Sequence, residues 1–225
     1  MDRQVLVAKV LQSFSRDVKR RAKVLRDFSK SIGLVYFGDV NQNEDEHDAI
    51  RGFTTSLTHR DTHYAVGTYN GYNIRLTDRF DLVRNAGNKV QKQLWTIIEL
   101  DIELQDLPHV HFVPTGRESG EYGRLYATRP NMVPLNMMFF TNRSPEFHGR
   151  YQIIANPTEA YRVESIFTSP VIVKLANRFW PNGIEIERNK LLVYITQNRP
   201  AKAALESALE SALWLAETLH ENRQS

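Results

Sequence analysis

Two alternating, β-prone segments meet at Asn70-Gly71, and this feature constrains the fold more than any other part of the chain. The Asn-Gly pair suits both central positions of a type I′ turn, which require positive φ. The stretch Thr62–Asp78 therefore predicts a β-hairpin with a two-residue loop.

The register of this hairpin follows from its turn. Tyr69 must face Tyr72, and pairing outward from these residues places His63 beside Asp78. An adjacent carboxylate raises the pKa of an imidazole and can orient it for general-base catalysis. His63 and Asp78 are therefore candidate catalytic residues, and the alternative is a structural pair at the edge of a buried face.

A histidine-rich segment precedes the hairpin. If it is extended, His59, Asp61 and His63 project from one face of a strand. His109 and His111 share a face of a second predicted strand, so two such strands side by side would offer imidazoles and a carboxylate to zinc, iron or manganese. These five residues are candidate metal ligands, and the alternative is that they are ordinary polar side chains.

The N-terminal segment predicts a long amphipathic helix from Arg3 to Ser31. Its apolar positions recur at spacings of three and four, and Arg21 interrupts them. The other faces are basic and supply the candidate binding residues Arg16, Lys19, Arg20, Lys23, Arg26 and Lys30. A solvated face is one interpretation, and contact with an acidic protein, an anionic membrane surface or nucleic acid is the other. Nucleic acid is less favoured because no aromatic residues alternate with the basic ones.

Composition limits the classes of function. The chain has a formal net charge of +3, yet nine Lys or Arg and three Asp precede Gly33, so the basic character belongs to the first helix. The absence of cysteine excludes disulfides, thiol catalysis and cysteine-ligated metals. Since no apolar run reaches the roughly 20 residues of a membrane span and no signal-peptide pattern is present, we expect a cytoplasmic protein, with peripheral membrane association as an alternative.

The remaining chain predicts an α+β fold with a predominantly antiparallel sheet and packed C-terminal helices. A long strand is expected from Gln93 to Leu104, with one buried face. Ser169 with Pro170 predicts the start of a helix to Phe179, and Pro200 predicts the start of the last helix. We expect a basic helix over residues 1–32 and a single domain over residues 33–225.

Several short segments resemble an uncharacterised bacterial protein family in which a β-rich α+β domain usually follows membrane-spanning helices. The matching segments are Leu25–Phe37, Val66–Asp81, a Lys/Gln-rich lead into the long strand, Leu107-Pro108, Ser144–Tyr151, Glu159–Phe167 and Ile184–Tyr194. The resemblance implies a related fold and carries no established activity. This sequence departs from the family in having one basic amphipathic helix where the family has membrane-spanning segments.

These observations favour a non-catalytic interaction or scaffold module. Its basic helix would contact an acidic partner, a membrane surface or a second copy of the chain. The alternative is a small metal-dependent, hydrolase-like enzyme centred on His59, Asp61 and His63, and nucleic-acid binding is the third hypothesis. No cofactor is predicted.

Overall fold

The computed structural model describes residues 19–38, 59–84, 90–116, 131–135, 144–195 and 201–224 of the 225-residue chain. The first described element is a helix, α1, over residues 19–31. The strands are β1 Val35–Gly38, β2 His59–Tyr69, β3 Tyr72–Arg84, β4 Val90–Asp101, β5 Val110–Pro114, β6 Val133–Pro134, β7 Tyr151–Ala155, β8 Gly183–Glu187 and β9 Lys190–Ile195. The other α-helices are α2 Pro145–Arg150, α3 Ala160–Ile166, α4 Ser169–Phe179 and α5 Lys202–Gln224.

The strands form one nine-stranded sheet in the order β1-β2-β3-β4-β9-β8-β5-β7-β6. Every strand pair is antiparallel. The first four strands lie in chain order, and β4 pairs with β9 to join them to the C-terminal half. The predicted α+β class with an antiparallel sheet is confirmed.

The predicted hairpin is β2–β3. Its turn residues have positive φ, 48° at Asn70 and 82° at Gly71, as a type I′ turn requires. The register Tyr69 with Tyr72 is confirmed. It then shifts between Thr62 and Ala65, so Thr62 and not His63 faces Asp78. The prediction that His63 lies beside Asp78 is therefore wrong, because the strand is irregular at His63, whose φ is 57°.

Helices pack on one face of the sheet. The main core joins strand residues such as Ile74, Ile98 and Val193 to the helices. The buried stripe of α5 is Leu205, Ala208, Leu209, Ala212, Leu213, Leu215, Ala216 and Leu219. Leu25 and Phe28 of α1 belong to the same core. The basic helix thus packs on the sheet, while the division of the chain at residue 32 stays a prediction.

The opposite face of the sheet is also buried at its centre. Trp95 and Ile97 of β4 contact Leu192 and Tyr194 of β9 in a second apolar cluster. Both faces of β4 are therefore buried between Trp95 and Leu100. The prediction that this strand has one buried face is wrong, because an alternating pattern does not show that the second face is covered.

One helix start in the C-terminal half agrees with the sequence prediction, whereas Pro200 lies outside the described residues. Helix α4 starts at Ser169 with Pro170 in its first turn and ends at Phe179. The Asn156 side chain accepts a hydrogen bond from the Thr158 amide at a short 3₁₀ turn that leads into α3. The predicted helical segment from Arg3 through residue 18, including Arg16, lies outside the described residues.

Tyr151 gives a prediction for alkaline pH. Its hydroxyl donates to the Asn182 carbonyl at 2.9 Å, and burial raises its pKa. The unfolded chain loses this proton near pH 10 and the folded chain does not, so stability falls as the pH rises above 10. Between pH 9 and 11 this group should cost about 1.4 kcal/mol. Urea unfolding of the native protein and of Tyr151→Phe measures it, and an equal loss in both would contradict the assignment.

Candidate functional site

A groove of about 700 Å³ runs between α1 and β1. It is lined by Ala22, Arg26, Lys30, Leu34, Tyr36, Phe37, Gly38 and His63. Helical periodicity places Ala22, Arg26 and Lys30 on one side of α1, because residues four apart lie on the same face. The groove therefore combines two cationic side chains with aromatic and apolar surface.

Tyr36 lines this groove and contacts two of the other lining residues. The Arg26 guanidinium lies 5.2 Å from the Tyr36 ring centroid, within cation–π range. The Tyr36 hydroxyl lies 2.6 Å from His63 Nδ1, and the two rings stack with centroids 6.2 Å apart. The structure thus brings two predicted functional residues together, since Arg26 and His63 flank the same tyrosine.

The neighbouring strand β1 exposes apolar side chains. Val35 is 59% exposed and Phe37 is 58% exposed. Strand β1 is also the outermost strand on its side of the sheet among the described residues. An edge strand offers backbone hydrogen-bonding groups to an incoming segment, so apolar, cationic and backbone groups all meet at this edge.

Helix α1 is held against the sheet by a buried ion pair. The Arg21 guanidinium donates to both carboxylate oxygens of Asp78. Its Nη2 also donates to Thr96 Oγ1 at 2.6 Å. Thr96 donates to Asp78 Oδ1 at 2.6 Å. Arg21 interrupts the apolar stripe of the helix because it reaches this carboxylate. Asp78 therefore serves α1 docking in this structure, whereas His63 lies in the groove.

The other basic residues of α1 point outward. Those in the described part of the helix are exposed: Lys19, Arg20, Lys23, Arg26 and Lys30. Lys23 also bonds Asp27 at 2.6 Å one turn away, which lowers the pKa of that carboxyl. Their role in binding stays a prediction, since exposure alone does not identify a partner.

The residues of the first predicted metal cluster have separate surroundings. Asp61 is buried and accepts from Arg79 at 3.0 and 3.4 Å. His63 lies in the irregular part of β2 and contacts Tyr36. His59 pairs with Asp81 in the strand register, and its side chain lies outside the description. Asp61 and His63 thus have different hydrogen-bond partners, and their role as metal ligands stays a prediction.

The second predicted pair, His109 and His111, lies next to two glutamates of β8. The Glu185 carboxylate accepts from His109 Nε2 at 2.7 Å and from the Tyr194 hydroxyl at 2.5 Å. Burial alone would raise the pKa of Glu185, but these hydrogen bonds and nearby imidazoles outweigh it and lower that pKa to about 2. Burial lowers the pKa of His111 to about 4.

The sequence pattern indicates these histidines as candidate ligands but not their acidic neighbours Glu185 and Glu187. Both glutamates lie in the alternating segment Gly183–Glu187, and this alternation was the available signal. In an antiparallel sheet, side chains at i and i+2 share a face, so a predicted pairing of β8 with β5 would have placed both glutamates beside the histidines.

Comparisons with known proteins report on the fold. No protein-family model matches the chain, and no curated protein matches it. The crystal structure of the mycobacterial trehalose monomycolate transport factor A, TtfA, aligns with a TM-score of 0.56. The fold is similar to that of TtfA. The alignment covers 88% of this chain and 93% of the TtfA chain at 11% sequence identity.

The identity to TtfA is low enough that the likeness concerns architecture alone. The resemblance to an uncharacterised bacterial family stays a prediction, because no family model matches the chain. Among the helices of the described residues, none is both long enough and apolar enough to cross a bilayer.

Proposed function

We propose that this protein is a non-catalytic interaction module that binds an acidic segment of a protein partner in the groove between α1 and β1. The observation that carries the proposal is the meeting of Arg26 and Lys30 with exposed Phe37 beside an outer strand. Each of these features alone is common on protein surfaces, but together they offer charge, apolar contact and backbone pairing to one ligand.

An extended peptide fits this combination better than a lipid surface does. A peptide that adds a strand to a sheet edge gains main-chain hydrogen bonds, and its alternate side chains reach neighbouring pockets. Here β1 is the outer strand, and Arg26 and Lys30 stand beside it to meet carboxylates. Exposed Phe37 would contact an apolar side chain of the same segment.

The buried ionisable groups support a non-catalytic role. Several of them form pairs that link secondary-structure elements, and Asp78 with Arg21 is one example. Glu99 on β4 accepts from Arg75 on β3 and Lys190 on β9. Such pairs link strands and helices, and breaking one by removing a partner is strongly destabilising. TtfA is named as a transport factor, and the proposal for this chain rests on its own groove and not on that name.

Charge reversal in the groove tests the proposal. The double variant Arg26→Glu/Lys30→Glu should bind a fluorescent Glu-rich peptide with interspersed Leu and Phe at least tenfold more weakly than the native chain. The reason is that two attractive charges become repulsive at the groove wall. Fluorescence anisotropy at low and physiological salt measures this, and native binding should weaken as salt rises.

The matched control is Lys174→Glu/Arg178→Glu on α4, which makes the same charge change at two exposed positions packed over Trp214. This variant should bind the peptide as the native chain does. A second experiment measures binding of the native chain to vesicles with and without anionic lipid. Binding to anionic vesicles without binding to the peptide would replace the protein partner with a membrane surface. If the native chain and Arg26→Glu/Lys30→Glu bound the peptide equally well, the proposal would be overturned.

A further inference from the structure

We propose that His109, Glu185 and Glu187 bind a divalent transition-metal ion, with Zn²⁺ as the best fit. One ligand atom from each residue lies within 4.8 Å of the other two. An imidazole nitrogen with two carboxylate oxygens is a donor set that suits Zn²⁺, Mn²⁺ and Fe²⁺. This site lies at β5 and β8, and it is independent of the groove between α1 and β1.

The sheet register creates the cluster. Glu185 and Glu187 are two residues apart on β8, so their side chains share one face. Strands β5 and β8 pair Val110 with Ile186, which brings the preceding residue His109 next to Glu187. Strand β8 therefore positions both glutamates, and His109 is the residue directly before β5; rigid strands are favourable supports for a metal site.

A metal ion would take the place of a proton. His109 Nε2 and Glu185 Oε1 are 2.7 Å apart and share a hydrogen bond. In a tetrahedral zinc site two such ligand atoms are roughly 3.4 Å apart, given metal–ligand distances near 2.1 Å. Separating these two atoms by less than about 1 Å would thus bring them to the spacing of zinc ligands, and the third ligand atom already lies within 4.8 Å of both.

The other oxygen of Glu185 is already oriented. Tyr194 donates to Glu185 Oε2 at 2.5 Å and fixes the carboxylate plane. Outer hydrogen bonds of this kind orient metal ligands and raise affinity. The Tyr194 hydroxyl is therefore a positioning group for the proposed site, and it does not itself contact the ion.

The site borders an open cleft of about 760 Å³. His109 and Glu187 line it together with the charged residues Glu103, Asp106, Glu159, Arg162 and Arg188. The lining holds four carboxylates and two guanidinium groups, and Glu159 already binds Arg162 at 2.8 Å. This acidic excess favours cations, and three protein ligands leave coordination positions for a further ligand from the cleft.

Metal binding by untagged, chelator-treated protein tests the proposal, with Zn²⁺ and Co²⁺ as probes. Isothermal titration should show one Zn²⁺ per chain, and the melting temperature should rise with Zn²⁺ because the ion binds the folded state. Bound Co²⁺ should give visible absorption from its nitrogen and oxygen ligands. Glu187→Gln should weaken Zn²⁺ binding at least tenfold, and His109→Asn should abolish the Co²⁺ absorption.

The matched control is Glu103→Gln, which removes one negative charge from the same cleft without removing a proposed ligand. It should leave Zn²⁺ affinity within about threefold of the native value, because salt screens the attraction between one exposed charge and the ion. Circular dichroism confirms that each variant is folded. Absence of Zn²⁺ binding by the native chain would overturn the proposal. Equal weakening by Glu103→Gln and Glu187→Gln would also overturn it, because it would indicate attraction by the acidic cleft without ligation.

Discussion

Replacing Arg21 with Met is expected to lower the free energy of unfolding by about 3 to 5 kcal/mol. Arg21 is 8% exposed and Asp78 is 1% exposed, so the variant leaves a carboxylate buried without its cation. The cost of that uncompensated charge exceeds the gain from the added apolar surface. Urea denaturation followed by circular dichroism measures the effect.

Two controls separate the charge effect from a general loss of packing. Arg21→Met/Asp78→Leu removes both charges and should recover at least half of the loss, since a buried ion pair replaced by apolar side chains often retains stability. Lys23→Ala breaks the exposed Lys23–Asp27 pair and should cost less than about 0.5 kcal/mol. A loss below about 1 kcal/mol in Arg21→Met would show that the pair does not hold α1 in place.

Phe28→Ala is expected to destabilise the protein by about 3 to 5 kcal/mol. Phe28 is 1% exposed and packs in the main core beneath α1. Truncation removes apolar contacts and leaves a cavity that the surrounding helices and sheet fill only in part. For a chain of this length the melting temperature should fall by roughly 10 °C, as calorimetry can measure.

Phe37 is the matched control because it is the same residue type on the neighbouring strand with 58% of its surface exposed. Phe37→Ala should change stability by no more than about 0.5 kcal/mol. The same substitution should weaken binding of the acidic peptide, since Phe37 lines the groove. If Phe37→Ala destabilised the protein as much as Phe28→Ala does, Phe37 would belong to the core and not to a binding surface.

The turn of the β2–β3 hairpin was predictable from the sequence, but the irregularity near His63 was not. Asn70-Gly71 determines the turn because few residue pairs accept two positive φ angles, and the pairing of Tyr69 with Tyr72 follows directly. The irregularity at His63 has no comparable signal, since a histidine at positive φ is uncommon. Because the register shifts there, Thr62 takes the predicted position of His63 opposite Asp78, and His63 lines the groove.

The ion pair of α1 shows what periodicity reveals and what it omits. The interruption at Arg21 was visible in the sequence, because a charged residue occupied a position that should face the core. Its partner Asp78 is 57 positions away and is brought close only by the sheet. A single sequence shows which residue is unusual, but it contains no direct signal for so distant a contact.

The acidic ligands of the proposed metal site were hidden for a related reason. Glu185 and Glu187 look like the solvent-facing half of an alternating strand. In the structure Glu185 is buried, because the centre of the sheet is covered on both faces. Alternation in a sequence shows that the two faces of a strand differ in polarity, but it does not show whether either face is exposed.

The two outer strands of the described sheet differ in a way that limits assembly. Strand β1 has four residues, whereas β6 has two, and one of these is Pro134, which has no amide hydrogen to donate. Head-to-tail growth of sheets needs two receptive edges, but a symmetric pair needs only one. Self-association by pairing of these described edges is therefore expected to close as a twofold dimer and not to extend into a filament.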